Sequence, residues 1–176
     1  MAALLLDPAA VMGVSILPQG ESEGHAKVGF DCNGLKTVDS VLNQAVIALA
    51  GRAAEQVFYP EKKLVGSSSD IAKSYKIVRR LLTKECCKGY EYYLKEADGP
   101  FSSESVAERR LEKIESECVH LMDECKAKAV KLIEENCGIA EKFVRKLVKN
   151  YMLTREEIFK LYRAETAKAY KRKRQA

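Results

Sequence analysis

Asp70 is the acid with the most suggestive setting in this 176-residue sequence, closing the run Ser67-Ser68-Ser69-Asp70 ahead of a helical pattern. A carboxylate in a first helical turn can complement free N–H groups and the helix dipole, or offer an oxygen to a cation. Glu55 stands three residues after Arg52, a spacing that suits an ion pair on one helical face. His25 and His120 are far apart, and neither has the i, i+4 partner that would place two imidazoles together. The six cysteines, Cys32, Cys86, Cys87, Cys118, Cys125 and Cys137, contain no C-x-x-C pair. Cys118, Cys125 and Cys137 sit among apolar neighbours and read as reduced, buried thiols of a cytoplasmic, reducing compartment. Adjacent Cys86 and Cys87 are poorly arranged to chelate one metal. Read by type and spacing alone, Asp70 is a helix-capping acid and Glu55 a solvated or salt-bridged one.

The elements that must hold these residues are mostly helices. Residues 12–18 and 24–30 are short, partly β-branched and separated by QGESE, which predicts a small hairpin or two edge strands. From Thr37, apolar residues at Val38, Val41, Leu42, Ala45, Val46, Leu49, Ala53 and Val57 mark one helical face, and Pro60 ends it. The next helix is expected from the serines to about Cys87, with Lys88-Gly89 as the break and a loop-like stretch to Pro100. A long helix follows over about 103–136, striped by Ala107, Leu111, Ile114, Cys118, Met122, Cys125, Ala129 and Leu132, with Gly138 as its stop. That stripe means burial against neighbouring helices, or a coiled-coil pairing. A shorter helix carries Ile139, Phe143, Val144 and Leu147. Thr154 and Glu157 form a capping box for the last helix, which buries Ile158, Leu161 and Tyr162 before fading into a basic tail.

Composition agrees with a mainly α-helical, soluble domain: 47% hydrophobic, 31% charged, no Trp and few Gly or Pro. The expected division is a domain over 1–165 and a basic tail over 166–176. The apolar run Ala2–Leu6 is far short of the roughly 20 residues that span a bilayer, and no charged segment precedes it as in a secretory signal. Net charge is +5, and the last nine residues alone hold Lys168, Lys171, Arg172, Lys173 and Arg174 without an acid. The remainder is electrically balanced, so any case for nucleic acid or an anionic membrane rests on the tail, and nucleic acid is not the expected partner.

Several short motifs occur in a meaningful order. Ala50-Gly51-Arg52-Ala53-Ala54-Glu55-Gln56 is followed by Gly66-Ser67-Ser68-Ser69-Asp70-Ile71 and then Ile77-Val78-Arg79-Arg80-Leu81-Leu82. Upstream lies Val14-Ser15-Ile16-Leu17-Pro18-Gln19-Gly20; downstream lie Leu132-Ile133-Glu134-Glu135-Asn136 and Leu153-Thr154-Arg155-Glu156-Glu157-Ile158. Over roughly residues 11–162 this series resembles the peptidase domain of FtsH-type ATP-dependent zinc metalloproteases. The resemblance implies a helical-bundle peptidase-like domain with a short sheet near the N-terminus. It also implies zinc as cofactor, a polypeptide substrate, homo-oligomers and an ATPase module or partner. Asp70 matches the family's third zinc ligand, and Glu55 matches an acid near the site with a supporting role.

The resemblance also sets a requirement. The family holds zinc with two histidines of an H-E-x-x-H helix, whose glutamate takes a proton from zinc-bound water. That motif does not occur in these 176 residues. Met1 to Pro8 looks like the tail end of the family's metal helix. Three explanations stay open: a truncated chain, a start assigned too late, or a natural pseudo-peptidase. The expectation is a zinc metallopeptidase in the complete gene product, with this chain alone catalytically incomplete and not holding zinc tightly. The alternative is a non-catalytic helical module for self-association or partner binding.

Overall fold

The computed structural model describes every residue except 19–23, 31–35, 63, 65–67, 94–103 and 176, with backbone alone for 104–107 and 168–175. Cys32 and Ser67 therefore lie outside the described residues. Two compact units emerge: residues 3–34 with 134–176, and residues 35–133 (Met1 falls with the first, Ala2 with the second).

Among the described residues, the second unit is built mainly from three α-helices, α2 (Val38–Phe58), α3 (Ser68–Thr83) and α4, which runs over Glu104–Glu135 and ends just beyond this unit. Thr37 starts α2 with a reciprocal cap: its hydroxyl accepts from the Ser40 N–H at 3.1 Å, and Ser40 Oγ accepts from the Thr37 N–H at 3.0 Å. That satisfies two of the orphan donors at the helix start. The buried face carries Ala45, Val46, Leu49 and Ala53, as the periodicity predicts, while Val38 stays exposed at the end. Small side chains there allow α3 to approach closely, and α3 contributes Ser74, Val78, Leu81 and Leu82. Ser74 is wholly buried and donates to the Ala45 carbonyl at 3.3 Å, so its hydroxyl costs little.

Along α4, Ile114, Cys118, Leu121, Cys125 and Ala129 are buried. The stripe is thus rotated slightly from the expected one: Leu111 is 39% exposed, and Leu121 is buried in place of Met122, which is half-buried. Burial in this apolar seam pushes the Cys118 thiol up to about 11 and raises that of Cys125. A raised folded value keeps Cys118 protonated, so its contribution to stability is complete below about pH 9. That contribution falls by an order of 2 kcal/mol as pH rises to about 11. Urea unfolding of wild type and Cys118→Ala across that range checks this, and parallel pH slopes would refute it.

Two expectations fail here for local reasons. The third helix stops at Thr83, not near Cys87, because the chain turns through Cys86 with φ at +50°. Gly138 is not a stop either. Asn136 makes the junction, its carbonyl accepting from Ile139 and Ala140 at 3.0 and 2.9 Å, and α5 (Cys137–Asn150) starts at once with Gly138 inside it.

The other unit holds a short α1 (Ala2–Leu6), strands β1 (Val11–Ser15), β2 (His25–Val28) and β3 (Met152–Thr154), α5 and α6 (Arg155–Gln175). The expected pair is present as β1 and β2, antiparallel, but β1 is the central strand. Its other edge pairs with β3, a strand the sequence reading did not anticipate. Leu4, Val11, Leu153 and Ile158 form the core on one sheet face, with Val14, Phe143, Leu147, Phe159 and Tyr162 around it. The Thr154–Glu157 cap is present, with Thr154 N–H donating to Glu157 at 3.0 Å. Arg155 donates to the carbonyls of Ala9 and Val11, both at 2.8 Å, and rests on Phe159. The α6 backbone does not fade near residue 165: it stays helical through the basic tail to Gln175.

Candidate functional site

Asp70 and Glu55, the two acids that the resemblance singles out, both belong to the α2–α3 pair. Asp70 lies in the first turn of α3 and is exposed. It faces α2 at Gly51, where an added methyl group would stand 3.9 Å from Asp70 Oδ2. Glu55 follows Gly51 by one helical turn and so shares its face of α2.

Arg52 organises this corner. One guanidinium nitrogen donates to Glu55 Oε2 at 2.9 Å and to the Leu64 carbonyl at 2.8 Å. The first bond neutralises Glu55 locally; the second ties Leu64 back to α2. Both side chains are about one-third exposed, so the ion pair itself adds at most about 1 kcal/mol. The sequence shows the Arg52–Glu55 spacing, but nothing in it marks Leu64 as the second acceptor, because a backbone carbonyl carries no residue signature.

The histidines play no part in this corner. His25 lies on β2, opposite Ser15, in the other unit. His120 is exposed on α4, with Nε2 3.3 Å from Glu124. Among the described residues no three His, Cys, Asp or Glu side chains come together to hold a metal. Tetrahedral zinc takes at least three protein ligands, and the Asp70 carboxylate would be one at most. The residues described here do not fit a zinc ion by themselves. The described cysteines form no disulfide; Cys118 and Cys125 are buried as expected, whereas Cys137, at the first position of α5, is only partly buried. Among the described residues, no helix is long and apolar enough to cross a membrane.

The comparisons with known proteins agree with this architecture. The family model of peptidase family M41 matches residues 1–161. The ATP-dependent zinc metalloprotease FtsH of Synechococcus sp. (strain JA-2-3B'a(2-13)) is 28% identical over 165 residues, covering 84% of this chain and 25% of that protein. FtsH of Rhodococcus erythropolis (strain PR4 / NBRC 100887) is 29% identical over 161 residues, covering 86% of this chain and 19% of its own length. A shorter match, 40% identical over 72 residues, is to FtsH of Mycobacterium leprae (strain TN), covering 40% of this chain and 9% of that protein. The chain spans about a quarter or less of the length of these relatives. With the ordered motifs, the helical α2–α3 corner and a family match from residue 1 to residue 161 in agreement, the chain belongs to peptidase family M41, as an FtsH-type peptidase domain.

Proposed function

We propose that this chain is part of a zinc-dependent peptidase that hydrolyses polypeptides in its complete form, with Asp70 as one zinc ligand and Glu55 in a supporting role. The observation that carries the reading is the exposed Asp70 carboxylate at the start of α3, set against Gly51 in the motif Gly51-Arg52-Ala53-Ala54-Glu55. When bound, zinc would polarise the scissile carbonyl and activate water. The other donors come from outside the described residues, and the 176-residue chain alone is catalytically incomplete and does not retain zinc tightly. Arg52 holds Glu55 and the Leu64 carbonyl in place. An ATPase module or partner would feed unfolded substrate, and the reaction would take place in the cytoplasm. The division into a domain over 1–165 and a basic tail over 166–176 is kept as part of this reading. Zinc content and hydrolysis of the complete protein, wild type against Asp70→Asn, test it.

A second reading is a non-catalytic module that binds a second copy or a partner protein. It draws support from Val144, Val148 and Tyr151, which lie four and three residues apart at the end of α5 and are each more than half exposed. Apolar side chains in such a stripe favour contact with another protein. The expected result is a mass that rises with concentration and falls back to monomer in Val144→Glu/Val148→Glu. A monomer at every concentration, or stoichiometric zinc held by the 176-residue chain, would count against this reading.

A further inference from the structure

The face of the sheet opposite the core carries a groove of about 500 Å³, within the roughly 300–1,000 Å³ range of ligand clefts. Strand register explains it. Val14 and Leu153 point to the core, so Gly13 with its partners Lys27 and Thr154, and Ser15 with His25 and Met152, share the outer face. At the middle of that face stands Gly13, without a side chain, so the floor of the groove is bare backbone. A Cβ there would lie 3.3 Å from the Leu153 carbonyl oxygen, which the close approach of β1 and β3 does not comfortably allow.

The walls are apolar and adaptable. Met12 and Met152 are 59% and 53% exposed, and Leu17 is 48% exposed. The Leu17 N–H donates to Ser15 Oγ at 3.1 Å, which fixes the turn that carries this wall. Unbranched thioethers fit varied apolar side chains without a fixed shape. Lys27 supplies a positive charge on one flank, and among the described residues lining the groove none is an acid. An outer sheet face of this kind normally carries polar side chains over a filled surface. Here the polar side chains of Ser15, His25, Lys27 and Thr154 stand around a hollow over Gly13, and exposed Met12, Leu17 and Met152 make its rim apolar.

We propose that this groove binds an extended, apolar polypeptide segment bearing a carboxylate beside its apolar residues. Apolar side chains would lie over Gly13 between Met12 and Met152, and the carboxylate would meet Lys27. The inference deepens the peptidase reading by naming a class of substrate segment, and it rests on that reading for its biological role. The binding itself requires no hydrolysis.

Fluorescence anisotropy with the 176-residue chain tests it, using a labelled, unstructured decapeptide rich in Leu and Phe. One version carries a central Asp and the other a Lys. The Asp peptide should bind about threefold more tightly, the size of one partly exposed ion pair. Lys27→Glu should reverse that order. Met12→Ser/Met152→Ser should weaken both peptides by about tenfold through lost apolar contact. All these positions are at the surface, and circular dichroism confirms folding. Binding of neither peptide, an unchanged order in Lys27→Glu, or indifference to the methionine variant would overturn the proposal. Loss of zinc-dependent hydrolysis in the complete protein with groove binding intact would instead strike only the peptidase reading.

Discussion

Asp70→Asn in the complete protein should release its zinc and lower hydrolysis of an unfolded polypeptide by more than about 100-fold, since changes even to outer-shell partners cost 10- to 100-fold. The substitution is almost isosteric, which isolates the charge. Asp70 is exposed in the first turn of α3, so the carboxylate contributes to the fold mainly through the helix dipole. Its neutralisation there costs about 0.3–1 kcal/mol, too little to unfold the protein. A zinc ligand, by contrast, must present a deprotonated oxygen, and an amide is a far weaker donor. Glu55→Gln is the informative companion. Its carboxylate is already bonded to Arg52, so it should alter activity much less than Asp70→Asn does. Metal analysis and turnover measured together decide the matter. Full zinc occupancy with normal turnover in Asp70→Asn would remove Asp70 from the metal site.

Leu153→Ala should destabilise the sheet-containing unit by about 3 kcal/mol, within the range for emptying a buried leucine site. Leu153 is 1% exposed and lies with Leu4, Val11 and Ile158 in a small core. Few neighbours can collapse into the space, because β3 is held in register by β1 on one side and continues directly into α6 on the other. Met152→Ala, one residue earlier and mostly exposed, should change stability by less than about 0.5 kcal/mol. Urea titration of the two variants gives the contrast. Equal midpoints would mean that the β1–β3 pairing does not organise this unit.

The helices were largely legible because their code is local. Apolar spacings of three and four place Ala45, Val46, Leu49 and Ala53 on one face of α2, and the same rule finds Ile114, Cys118, Cys125 and Ala129 on α4. Caps are equally local: Thr37 and the Thr154–Glu157 pair reach only three residues along the chain. Their side-chain oxygens satisfy backbone donors that every helix start leaves open. Helix ends were less legible, since Thr83 and Asn136 are fixed by how the next segment turns away.

By itself, the sequence determined the helical class, the presence of two short strands near the N-terminus, the thiols buried in α4 and the placement of Asp70 at the start of a helix. Only the tertiary structure decided that Asp70 faces Gly51 and that Arg52 bonds the Leu64 carbonyl. It alone brought Met152–Thr154 beside β1 and left a hollow over Gly13. Residues 13 and 154 pair across nearly the whole chain, and three residues are too few to show a strand period. Contacts between distant segments depend on which faces remain after the helices and strands have formed, so they leave no spacing in the sequence to be read.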